Sequence, residues 1–113
     1  MLIRGFEMRD LQSIDALCPR NGLVAILQDG AYAYSVQAAD FCDMLRDAAL
    51  ATQTVGYRIL DVRRFINGSL QVTAEHQTLD PWGRPSTIYH RFRFDQEQTA
   101  YVIREFGATT ISY

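Results

Sequence analysis

Residues 54–79 read TVGYRILDVRRFINGSLQVTAEHQTL, and apolar and polar side chains alternate along them on both sides of Asn67-Gly68. That is the pattern of two long antiparallel strands joined by a tight turn. A two-residue turn at Asn67-Gly68 places Ile66 opposite Ser69, Phe65 opposite Leu70 and Ile59 opposite His76. The face carrying Leu70, Val72, Ala74 and His76 is then expected to carry Tyr57, Ile59, Asp61, Arg63 and Phe65 as well. Ser86 to Phe94 reads as a third strand, reached through the turn residues Asp80-Pro81-Trp82-Gly83-Arg84-Pro85, with Ile88, His90, Phe92 and Phe94 on one side. Thr99 to Phe106 is ambiguous. Asp95 and Gln98 resemble a helix cap, but Tyr101-Val102-Ile103 has strand propensity, and a fourth strand is expected. A turn over residues 95–98 would add Thr99, Tyr101, Ile103 and Glu105 to the shared face.

Upstream of this meander the period is 3.6 rather than 2. Phe41, Met44, Leu45, Ala48, Ala49 and Thr52 recur at helical spacing, with Asp40, Asp43 and Asp47 opposite them, which predicts a helix over 38–52. Leu23 to Leu27 and Ala31 to Val36 flank Asp29-Gly30 and predict a hairpin. Asp10 before Leu11, Ile14, Ala16 and Leu17 predicts a capped helix at roughly 10 to 17, stopped by Pro19; residues 2–8 are too short to assign.

The chain has 113 residues, 48% hydrophobic and 21% charged, which is room for one domain with one core. A net charge of −2 sets up no field that would draw the molecule to nucleic acid or acidic lipid, so neither partner is expected. All eleven basic residues are arginine, which excludes Schiff-base chemistry and a P-loop lysine. Cys18 and Cys42 stand apart with no CxxC, and Cys18, Cys42, His76 and His90 lack the paired spacing of zinc ligands. No metal or cofactor is expected, and a reduced, cytoplasmic setting is. No stretch approaches the ~20 apolar residues of a membrane span, and the first residues lack a secretory signal core.

The order of helix, hairpin, helix and four long strands resembles that of the nuclear transport factor 2-like superfamily, which includes SnoaL-like polyketide cyclases and ketosteroid isomerase. Phe6-Glu7-Met8-Arg9-Asp10-Leu11, Leu23 to Val36, Gly83-Arg84, His90-Arg91-Phe92-Arg93-Phe94-Asp95 and Arg104-Glu105-Phe106 carry the likeness. It spans residues 1–113 as a single SnoaL-like domain. The resemblance implies an α+β, cystatin-like cone: helices on a curved antiparallel sheet, a pocket between them, and homodimers through the convex face. The first helix is clipped, so the cone is expected to be more open on that side. In the isomerase branch a carboxylate base sits on the first hairpin; a gapless match from Asp10 puts Ile26 there, with Asp29 nearby. A tyrosine donor falls on about Leu2, and the acidic oxyanion donor falls on His90. Only His90 keeps a proton-donating group, so steroid isomerisation is not expected.

The shared inner face is therefore apolar, with Asp61, Arg63, His76, His90 and Glu105 set into it. Such groups are costly to bury unless they pair or face a wet cavity. A histidine beside a carboxylate can be tuned to titrate near neutrality, and Asp61 with His76 or Glu105 with His90 could form such a pair. One reading is a domain that binds a small apolar molecule, of isomerase, cyclase or dehydratase type, with His90, Asp61, His76 and Glu105 catalytic and Tyr57, Ile59, Phe92, Tyr101 and Arg63 lining the pocket. The other is a non-enzymatic dimerisation or protein-interaction domain whose pocket is filled by its own side chains and whose histidines are satisfied core residues. Arg58, Arg64, Tyr89, Arg91 and Arg93 on the outer face could stack on RNA bases, but Glu75 lies among them. Leu60, Val62 and Ile66, expected on that outer face, suggest that a second copy covers it.

Overall fold

Asp10 organises the N-terminal helices. The computed structural model describes residues 2–51 and 53–110. In it a six-residue helix, α1 (Leu2–Glu7), precedes α2 (Leu11–Leu17). The Asp10 carboxylate accepts the backbone N–H groups of Gln12 and Ser13 at 3.2 and 3.4 Å and the Ser13 hydroxyl at 2.9 Å, which satisfies donors that a helix start leaves open. Cys18 is extended before Pro19, as the ring requires. A Cβ on Gly5 would fall 2.5 Å from Ile14 Cδ1, so the bare backbone there is what lets α1 meet α2.

The expected hairpin is β1 (Leu23–Gln28) with β2 (Ala31–Gln37), and the expected long helix is α3 (Ala38–Ala51). Thr52, the last expected helical position, lies outside the described residues. Phe41, Cys42, Leu45 and Ala49 form the buried stripe of α3, while Met44 and Ala48, expected on it, face outward. Next come β3 (Gln53–Arg64), β4 (Leu70–Leu79), β5 (Pro85–Glu97) and β6 (Ala100–Thr109), so residues 100–109 are a strand. The six strands form one sheet in the order β2-β1-β6-β5-β4-β3. It is mixed rather than wholly antiparallel, because β6 pairs in parallel with β1, Ala25 beside Glu105. Phe6, Ile14, Val24, Phe41, Phe92 and Ile103 are sealed between helices and sheet.

The register departs from the expected one in three places, each with a local cause. Between β3 and β4 the loop has three residues. Gly68 N–H donates to Phe65 O and Phe65 N–H to Ser69 O, and Gly68 has φ +90°, the conformation of a glycine bulge after a type I turn. Arg64, not Phe65, therefore pairs with Leu70. A bulge at Leu60 then restores the expected parity, so Ile59 pairs with Ala74 and Tyr57 with His76. Between these two irregularities Asp61 pairs with Thr73 and Arg63 with Gln71, on the convex side. A bulge at Arg104 does the same to the last strand: Ile103 pairs with Phe94, but Glu105 pairs with Arg93 and points away from the histidines. Thr99 lies in the β5–β6 turn and not on the inner face.

The same shifts alter the convex face. Val62 pairs with Val72 and turns inward, and Ile66 sits at the exposed tip of the β3–β4 loop. Gln71, Thr73, Glu75, Arg91 and Arg93 occupy the convex positions of β4 and β5. The apolar outer strip expected from Leu60, Val62 and Ile66 is thus not formed.

Candidate functional site

The two histidines meet on the concave face because β4 and β5 place them diagonally, His76 opposite Ile88 and His90 opposite Ala74. Their ring centroids are 5.3 Å apart. Each finds a hydroxyl: His76 Nε2 lies 2.7 Å from Thr54 Oγ1, and His90 Nδ1 lies 3.0 Å from the Tyr57 hydroxyl. Phe6 caps the group from α1. It stacks on Tyr57 at 4.7 Å with the planes 3° from parallel, and it lies 5.1 and 5.3 Å from the two imidazoles. Glu7 Oε1 accepts the Tyr57 N–H at 2.8 Å and pins the end of α1 to β3. Phe6, His76 and His90 are 1%, 3% and 6% exposed, so little of either imidazole is open to water.

Burial decides the protonation of this cluster. It lowers His76, and burial together with the neighbouring His76 holds His90 down at about 3. Burial also raises the Tyr57 phenol. All three are neutral near pH 7, and a neutral phenol–imidazole pair needs no counter-charge. Tyr57→Phe is expected to leave His90 Nδ1 without its partner and to cost about 1–2 kcal/mol of unfolding free energy in urea melts. Thr54→Val should cost less, since Thr54 is only half-buried.

The open volume lies further along the concave face. A groove of about 320 Å³ runs under Leu2 and Ile3 of α1 and Leu17 of α2. Its floor is Ile59 and Val62 of β3, Leu70 and Val72 of β4, Phe94 of β5 and Tyr101 of β6. Apart from the Tyr101 hydroxyl, no lining side chain carries a polar atom, so the groove can desolvate hydrocarbon but offers nothing for a charge. A larger cleft of about 490 Å³ lies between α2 and the β5–β6 turn. Two of its carboxylates are already engaged, Asp15 with Arg46 at 3.0 Å and Glu97 with Arg104. No three His, Cys, Asp or Glu side chains converge as metal ligands among the described residues.

The expected site residues thus separate into three places. His76, His90, Tyr57 and Phe92 come together in the packed core. Ile59 and Tyr101 line the groove. Asp61, Arg63 and Glu105 lie across the sheet: Glu105 is bound to Arg93 at 2.7 Å, and Asp61 and Arg63 are exposed. The expected pairs Asp61 with His76 and Glu105 with His90 are not formed. Sequence reasoning missed Phe6, because residues 2–7 span fewer than two turns and show no period. It missed Val62 because an even-numbered position faces inward only beyond a bulge that no residue pattern announced.

No helix among the described residues is long and apolar enough to cross a membrane. No family model matches the chain, and no curated protein matches it. Solved structures do. A DUF4783 family protein from Bacteroides ovatus superposes with a TM-score of 0.73 over 99% of this chain and 94% of its own, at 13% identity. A nuclear transport factor 2-like protein of unknown function from Cytophaga hutchinsonii gives 0.58 over 93% and 88%, at 14% identity. A Bacillus subtilis protein provisionally described as an isomerase gives 0.68 over 94% and 78%, at 12% identity. Together with the helices laid across the concave face of a single sheet, these matches establish that the chain has the nuclear transport factor 2-like fold.

Proposed function

We propose that this chain binds a small, uncharged, largely apolar molecule in the groove between α1, α2 and the open end of the sheet. The observation that carries the reading is the groove itself: a solvent-open hollow on the concave face with a hydrocarbon lining. Chemistry by a histidine–carboxylate pair has less support, since the rings are sealed by Phe6 and their hydrogen-bond partners are hydroxyls. The similarity to a protein provisionally described as an isomerase fits a ligand-holding pocket and does not by itself indicate a reaction.

Nile red, a neutral fluorescent dye, tests the groove. Val62 lines it and Val55, on the same strand, does not; the two are 56% and 60% exposed, so both tolerate a polar side chain. Wild type should bind the dye saturably. Val62→Glu should weaken binding by at least about tenfold, because its carboxylate loses water against Leu70 and Val72. Val55→Glu should bind like wild type. Absence of saturable binding by wild type, or equal loss in both variants, ends the reading.

A further inference from the structure

We infer that the β3–β4 loop docks this protein on an anionic lipid surface, with Ile66 and Phe65 entering the apolar layer and Arg63 and Arg64 meeting the lipid phosphates. Residues 63–70 read RRFINGSL, two cations followed by a stretch without charge. Ile66 is wholly exposed at the tip, and Phe65 beside it is exposed as well. The turn is closed by its own hydrogen bonds. Gly68 N–H donates to Phe65 O, and Asn67 Oδ1 accepts the Ser69 N–H at 3.0 Å and the Ser69 hydroxyl at 2.7 Å. These pairings lower the cost of taking the turn out of water.

Charge points to lipid as the occupant. Arg4, Arg46, Arg58, Arg84, Arg93 and Arg104 each hold a carboxylate. Arg63 and Arg64 hold none among the described residues, and both are exposed. They leave β3 on opposite faces, Arg63 paired with Gln71 on the convex side and Arg64 with Leu70 on the concave side, so two cations flank the loop. Carboxylates at this end of the sheet do not cancel them: Asp95 and Glu97 are bound to Arg93 and Arg104, and Asp61 stands two positions behind Arg63. A cationic collar behind an apolar tip matches the order of a bilayer surface, phosphates outside and hydrocarbon within. A second copy fits less well, because two loops meeting about a twofold axis would bring four uncompensated arginines together. The net charge of −2 exerts no long-range pull, so the attraction acts within about 8 Å of the surface at physiological ionic strength.

The place of the loop gives docking a use, which rests on the groove being a ligand site. Val62 and Leu70 line the groove and stand four positions either side of Ile66, and Ile3 on its rim is exposed. A docked loop sets the open groove at the bilayer, where neutral apolar molecules collect.

Vesicle flotation tests the docking. The full chain should float with phosphatidylcholine vesicles containing about one-third phosphatidylglycerol, and bind vesicles of phosphatidylcholine alone at least about fivefold more weakly. Added salt should release it. Ile66→Asn and the double variant Arg63→Gln with Arg64→Gln should each weaken binding by about tenfold. Val55→Asn and Arg20→Gln, exposed apolar and cationic positions outside the loop, should float like wild type. No flotation of wild type, equal binding to both kinds of vesicle, or unweakened flotation of Ile66→Asn would each overturn the docking. So would a wild-type dimer that Ile66→Asn turns into monomer, which would make the loop a contact between copies. Nile red binding without lipid keeps the two proposals apart. Dye bound with vesicles refused overturns the docking alone; vesicles bound with dye refused upholds the docking and ends the groove.

Discussion

Replacing Phe6 by alanine is expected to lower the unfolding free energy by about 4 kcal/mol, toward the upper end for a single core truncation. The ring is 1% exposed, stacks on Tyr57 and closes over both imidazoles. Its removal takes away the transfer free energy of a phenyl group and leaves a hole that α1, held next to the ring by the Glu7 hydrogen bond, cannot readily collapse into. Phe6→Leu refills most of that volume and should cost about 1–2 kcal/mol. Urea melts of the two variants, compared at equal slope, give the test. A cost under about 1 kcal/mol for alanine would mean that α1 is not seated on the sheet. The dye-binding groove should suffer as well, since Leu2 and Ile3 of α1 form part of its wall.

Acid should unfold the protein in a window set by the histidines. His90 is held at about 3 against an ordinary 6.5. Between these values the unfolded chain binds a proton that the folded one refuses, so stability rises with pH there. The contribution is fully present above pH 6.5 and is lost progressively as pH falls toward 3. One such proton is worth up to about 1.4 kcal/mol per pH unit, or about 2 kcal/mol between pH 6.5 and 4.5. His76, lowered by burial as well, adds in the same direction. Asp10 acts lower on the scale. Its carboxyl, held below its ordinary 3.8 first by the Ser13 hydroxyl, contributes stability present above that value and lost below it. The two windows are therefore separable. Unfolding free energy measured at half-unit steps should fall from pH 6.5 downward in wild type. His90→Gln, which keeps a partner for Tyr57 but cannot titrate, should show a slope shallower by about one proton. An unchanged slope would mean that His90 is protonated in the folded state.

Alternation in residues 54–94 was enough to place Tyr57, Ile59, Val72, His76, His90 and Phe92 on one face, and Asp29-Gly30 was enough to locate the first hairpin. These readings succeeded because side-chain parity along a strand and turn chemistry depend on the next few residues alone. They failed at Asp61, Arg63 and Glu105, where the strands bulge at Leu60 and Arg104. A bulge answers to the twist and bending of the whole sheet and leaves no fixed residue signature.

What the chain sequence determined by itself was α2, the first hairpin, α3 and the meander with its apolar face, all consequences of local periodicity, capping and turn residues. The tertiary structure alone decided that Phe6 fills the space over the histidines, that the cavity moves outward to Leu70 and Val72, and that two carboxylates face away. Each of these depends on which helix lies over which strand and at what offset, and that is settled by packing among residues far apart in the chain, as between Phe6 and His90.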